Sequence, residues 1–233
     1  MPKNYFEDTS TPEPTNDIVR NIELYYFGPM LYATKLPIDF CKELAERGRK
    51  KLNPDHRPHL AGHLEEERKF QKEDMEWFLR QTYTHFEDYI ARASNHSNAG
   101  IPSLAVDLDA LWINYMKKHE YNPIHTHDGS MSFVIYCDVP PEIEEDSKKR
   151  NIGRHHGPGS IDFYYGDKMI LNRDVWSFYP VTGDFLIFPA WLKHAVWPYY
   201  IDKERVSVSG NLKLIKPDGQ HSDHTHSIED KLW

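Results

Sequence analysis

Two histidines, His125 and His127, lie two residues apart in the segment YNPIHTHDGS, directly ahead of the β-prone run SFVIYCDV. Alternate residues of an extended chain face the same side, so both imidazoles can reach one metal ion. The spacing fits equally well two solvated loop histidines beside an Asp-Gly turn, and taken alone it leaves both readings open. A third histidine, His194, stands in TGDFLIFPAWLKHAVWPYY, where a Gly-Asp turn leads into an apolar strand and a Pro-Ala-Trp corner. So much aromatic surface also suits a core histidine. Eleven residues further on, ERVSVSGNLKL puts Arg205, Ser207 and Ser209 on one face of a strand and Val206 and Val208 on the other. A planar guanidinium flanked by hydroxyls is suited to bind a carboxylate. An edge strand with its polar face in water is the plainer alternative.

Literal His-x-Asp/Glu pairs elsewhere compete with these residues. His85 and Glu87 fall on a helical stretch, where residues two apart point to nearly opposite sides and cannot share an ion. His63 and Glu65 open the charge run LEEERKFQKED, which reads as a solvated face. His221 and Asp223 stand in a polar tail with no strand after them, and HTH recurs there at His224 to His226.

These side chains need elements to position them. From Glu73 to Arg92 apolar residues recur three and four apart, predicting an amphipathic helix with one buried face. Pro37 opens a second helical stretch, to about Lys51, after the aromatic, β-prone segment Ile22 to Lys35. Beyond Asn95 the pattern changes to short strands separated by Gly, Pro and Asp: Leu104–Met116, Ser132–Val139, Ser160–Tyr165, Val175–Tyr179, Phe185–Phe188, Ala195–Pro198 and Arg205–Leu214. Such a series predicts a mainly β (α+β) sandwich or barrel, with the N-terminal helices covering one sheet. Residues 141–159, PEIEEDSKKRNIGRHHGPG, form a charged insertion long enough for a lid or binding loop. Residues 1–17 read as a flexible leader and residues 216–233 as a polar C-terminal tail.

The chain has 233 residues, 39% of them hydrophobic, enough for a substantial core. A net charge of −8 argues against binding a phosphate backbone, so no nucleic acid is expected. No apolar run reaches the ~18 residues of a membrane helix, and the N-terminus lacks the basic and apolar regions of a signal peptide. A cytoplasmic protein without a membrane association is the expectation. Cys41 and Cys137 are too few for a disulfide framework and are expected to be buried thiols.

The order of these motifs (H-x-H, a strand ending near Tyr136, a Gly-Asp turn, an apolar strand, His194, then R-V-S-V-S) resembles the double-stranded β-helix (jelly-roll) core of the iron(II)- and 2-oxoglutarate-dependent oxygenases. It is most similar to the prolyl-hydroxylase-like and putative 2-oxoglutarate oxygenases of bacteria and viruses. The similarity covers about Trp112 to Leu214, within a single domain over 18–215 whose β-helix core spans about 104–215. The resemblance implies Fe(II) on His125 and His194, and 2-oxoglutarate as cosubstrate, its far carboxylate on Arg205 and Ser207 with help from Tyr136. Asn114 would point into the same cavity, and Phe188 and Trp191 would wall it. It further implies hydroxylation of a C–H bond with release of succinate and carbon dioxide, ascorbate as a reductant, and a peptidyl proline or other protein side chain as substrate ahead of a small molecule. The residues 141–159 would cover the site, and the aromatic segment Trp197–Tyr200 would add an apolar rim.

The sequence departs from the superfamily's His-x-Asp/Glu pattern at one position. Two residues after His125 stands His127, and the carboxylate, Asp128, comes third. Strand alternation favours His127 as the remaining ligand; the turn-forming pair Asp128-Gly129 favours Asp128. Two other readings remain: a cupin-like enzyme with three histidine ligands and no 2-oxoglutarate, for which an arginine-serine clamp would have no use, and a non-catalytic β-sandwich binding module.

Overall fold

The computed structural model describes residues 28–50, 53–97, 105–150, 157–170 and 172–215. The leader, the tail with its histidines, and His155 and His156 lie outside these residues. Ten strands and three α-helices follow one another as β1 (Tyr32–Lys35), α1 (Ile38–Gly48), β2 (Glu67–Lys69), α2 (Lys72–Ser97), β3 (Ala105–Met116), β4 (Asn122–His125), β5 (Met131–Asp138), α3 (Pro141–Arg150), β6 (Ile161–Tyr164), β7 (Val175–Phe178), β8 (Asp184–Pro189), β9 (Lys193–Val196) and β10 (Arg205–Ile215). A six-stranded sheet has the order β1-β8-β5-β10-β3-β2, and a four-stranded sheet has the order β4-β9-β6-β7. Every pairing is antiparallel. The two sheets make the double-stranded β-helix.

Strand alternation separates two apolar layers on the larger sheet. Leu111, Ile113, Tyr115, Phe133, Ile135, Phe185, Ile187, Val206 and Val208 face the helices, where Cys41, Leu44, Phe78 and Phe86 complete the main core. The opposite face carries Val134, Tyr136, Leu186 and Phe188, which pack on Ile161 and Phe163 of the smaller sheet and on Leu192 in the turn before β9. Both helices on the first face were expected, and α2 extends the Glu73–Arg92 periodicity by a turn to Ser97. Its buried stripe, Phe78, Thr82, Phe86 and Tyr89, keeps the three-and-four spacing.

Some expectations fail for reasons of tertiary pairing. The charge run after Leu64 is not a uniformly solvated face, because Glu67–Lys69 pairs with Trp112–Asn114 as edge strand β2. The insertion is not simply a loop: its first half is α3, with Ile143 buried against Leu64, Met116 and Tyr199. Tyr199 is wholly buried and is no part of an exposed aromatic rim. Cys41 and Cys137 are buried free thiols. None of the helices among the described residues is long and apolar enough to cross a membrane.

Candidate functional site

Strand register sets His125 and His194 opposite one another. His125 ends β4 and is the direct cross-strand partner of His194 in β9. His127 follows β4 by two residues, held by its backbone N–H donating to the Ala190 carbonyl at 2.9 Å. The three ring centroids lie 4.3, 4.9 and 5.0 Å apart, and one ligating nitrogen from each ring falls within 4.8 Å of the others. Asp128 is exposed on an outer groove and stands outside this cluster.

The protonation state of the rings suits a metal. His125 Nδ1 lies 2.7 Å from the Pro123 carbonyl, and His194 Nδ1 lies 2.9 Å from that of Leu192. A carbonyl only accepts, so each Nδ1 carries the proton and each Nε2 keeps its lone pair. Burial disfavours the imidazolium: it holds His127 down at about 2 and His194 at about 3, and it lowers His125 as well, with the neighbouring rings adding to the effect at His127 and His194. Three neutral imidazoles converging on one point fit a divalent first-row metal such as iron(II).

The cluster lines a cavity of about 220 Å³ between the two sheets. Asn114, Tyr136, Arg205, Ser207 and Ser209 line the same cavity, as do Val134, Ile161, Phe188 and Val196. Asn114, Ser207 and Tyr136 are cross-strand neighbours on β3, β10 and β5, so one row of the larger sheet presents all three. The Asn114 amide donates to the Ser207 and Ser209 hydroxyls, both at 3.3 Å.

Arg205 is 2% exposed. Its Nη1 donates to the Gly159 carbonyl at 2.6 Å, its Nη2 approaches the Met116 sulfur at 2.8 Å, and its Nε has no acceptor among the described residues. The rings of Tyr136 and Tyr199 flank it at 5.4 and 5.7 Å. Among the described residues no carboxylate pairs with this guanidinium. A buried cation with only neutral acceptors and one orphaned donor is a built receptor for an anion. Gly159 has a φ of +77°, and a methyl group on its Cα would meet Ile143 at 2.9 Å, so a side chain there would disturb the carbonyl that orients Arg205.

Of the residues singled out in the sequence, His125, His127, His194, Asn114, Tyr136, Arg205, Ser207 and Phe188 meet in this one cavity. Trp191 does not; it is 51% exposed and packs toward Tyr165, because the corner after Pro189 turns it outward. Two roles escape sequence reasoning. Tyr199 supports Arg205 from behind: its hydroxyl accepts the Arg205 backbone N–H at 3.2 Å and faces the carbonyls of Met116 and Lys203. Glu67 lines the cavity at 1% exposure, although it sits in a run of charges that gives no signal of burial. The competing pairs are placed elsewhere: His85 meets the Tyr32 hydroxyl, and His63 stacks on Tyr121 at 4.7 Å.

Residues 110–211 match the family model described as putative 2OG-Fe(II) oxygenase. No curated protein sequence matches the chain. Similar solved structures include a Pseudomonas putida prolyl-4-hydroxylase, 15% identical over 77% of this chain and 90% of that one, with a TM-score of 0.47. The viral collagen prolyl hydroxylase of Paramecium Bursaria Chlorella virus-1, in its 2-oxoglutarate complex, is 13% identical over 78% and 94%, with a TM-score of 0.49. A Trichoplax adhaerens prolyl hydroxylase, in complex with a hypoxia inducible factor peptide fragment, is 9% identical over 78% and 81%, with a TM-score of 0.47.

Proposed function

We propose, from the match of residues 110–211 to the putative 2OG-Fe(II) oxygenase family model, that this chain is a dioxygenase that hydroxylates a C–H bond of a peptide or protein side chain, peptidyl proline included, and releases succinate and carbon dioxide. One observation carries the reading: three neutral imidazoles converge in the same cavity as a buried guanidinium that has no counter-anion among the described residues.

His125, His127 and His194 would hold iron(II), and Arg205 would hold the far carboxylate of 2-oxoglutarate. Bound iron supplies the activation of dioxygen, with 2-oxoglutarate as the source of electrons. The chain's own residues do the positioning. Ser207 and Tyr136 flank the carboxylate site, and Asn114 fixes the Ser207 hydroxyl. Burial pushes the Tyr136 phenol up to about 12, which keeps it a neutral hydrogen-bond donor beside an anion. Val134, Ile161, Phe188 and Val196 line the cavity and would shield the reacting centre from water.

The clamp on a dicarboxylate is what separates this reading from a three-histidine cupin. Anaerobic addition of iron(II) and then 2-oxoglutarate tests it. A visible charge-transfer band that appears only with both, and succinate release once air is admitted, is the expected result. Metal uptake with no response to 2-oxoglutarate would favour the cupin.

A further inference from the structure

Glu67 sits at the far end of the row that carries the cosubstrate groups. Its cross-strand partner is Asn114, whose own partner is Ser207, followed by Tyr136. At roughly 4.8 Å between strands, it stands about 10 Å from Ser207. Its side chain lines the cavity yet makes no hydrogen bond among the described residues, and Oε2 is fully buried. Two further buried oxygens on the same cavity also lack a donor among the described residues, Asn114 Oδ1 and Asn122 Oδ1. Gly62 opens the space between them: a methyl group there would meet Asn122 Oδ1 at 2.5 Å and Glu67 Oε1 at 3.2 Å.

All three orphans are acceptors, and none is hydrogen-bonded among the described residues. The neighbouring basic side chains are engaged elsewhere, Arg57 on Asp55 at 2.7 Å and Arg68 on Glu66 at 2.7 Å. An unpaired buried carboxyl is costly, and the cost falls most when a cation is its partner. We propose that Glu67, with Asn122 and Asn114, is the specificity determinant of the cavity and takes the ammonium or guanidinium end of a lysine or arginine side chain in a peptide substrate. This deepens the oxygenase reading and rests on it. Burial, with the nearby charge of Glu120, holds the Glu67 carboxyl up at about 7, and an arriving cation restores its ionised form.

Matched peptide pairs test the assignment, lysine against norleucine and arginine against citrulline, each in proline-containing and proline-free contexts. Succinate release from 2-oxoglutarate and the mass gain of the peptide are the readouts. In the wild-type enzyme the cationic member should show a KM lower by about ten- to a hundredfold, the range of a charge-assisted hydrogen bond. Glu67→Gln should bring the pair to near equality by raising the cationic KM, and Glu67→Asp should keep part of the preference. Because each comparison is a ratio within one protein, it is independent of the folded fraction. Equal KM values in the wild type, or a preference that survives Glu67→Gln, would overturn the proposal. So would basal 2-oxoglutarate turnover that no cationic peptide raises, and that result would leave the oxygenase reading standing. No succinate under any condition would bring down the oxygenase reading itself.

Discussion

Burial acts in opposite ways on the three histidines and on Arg205. An imidazole in a low-dielectric cavity sheds its proton and becomes a better ligand. A guanidinium cannot shed its own, so Arg205 remains a cation and must find an anion. Arg205→Ala should therefore raise the 2-oxoglutarate concentration needed for half-maximal rate by about a hundredfold or more, since a buried charge partner is lost. Metal uptake should change little, and a cosubstrate titration of the variant with manganese(II) bound would check both. His194→Ala should behave differently, abolishing metal uptake and turnover together; retained activity would remove His194 from the site. These residues stand out in the sequence because their order along the chain is distinctive. Glu67 does not, since nothing in LEEERKFQKED separates this buried glutamate from the exposed Glu65 two residues before it.

At the scale of elements, the chemistry depends on register. His125 and His194 meet because β4 pairs with β9, and a shift of one residue would turn His194 to the opposite face. The long strands β3, β5 and β10 and the helix α2 were legible from alternation and from three-and-four spacing. The short strands β2 (ERK) and β4 (NPIH) were not, because an all-charged triplet and a proline-bearing segment lack the apolar and aromatic residues that mark the equally short β6, β7 and β9, and only a partner makes them strands. Edge strand β2 carries a cost that can be measured. Glu67's ordinary value is 4.5 and its folded value is about 7, so the folded chain binds the extra proton between those limits. Stability should thus be unpenalised below pH 4.5, fall as pH rises from there to about 7, and level off above it. Converted at roughly 1.4 kcal/mol per pKa unit, the full penalty is at most about 3.5 kcal/mol. The charges acting on Glu67 are Glu120, Arg57 and Asp55. Glu67→Gln cannot titrate, so the stability difference between variant and wild type in urea should grow in the variant's favour from about pH 4.5 to about pH 7.5. A difference independent of pH would show the carboxyl to be paired in solution.

At the scale of the molecule, the cavity lies between two sheets whose inner faces are only partly filled by hydrocarbon. His125 and His194 belong to the smaller sheet, whereas Arg205, Ser207 and Tyr136 belong to the larger. A metal and a dicarboxylate that bind together would cross-link the two layers, and anything that binds only the folded state stabilises it by mass action. Manganese(II), a redox-stable substitute for iron(II), should therefore raise the melting temperature. At about a hundred times its dissociation constant the gain is about 2.7 kcal/mol, or roughly 5 to 10 °C for a domain of this size. A chelator should reverse it. Adding 2-oxoglutarate after the metal should give a second rise, which Arg205→Ala should remove while keeping the first. In His194→Ala both should vanish, because the site for the dicarboxylate is then missing its metal end. A second rise of full size in Arg205→Ala would mean that the dicarboxylate is held without the guanidinium, and the cross-link between the sheets would have to be sought elsewhere.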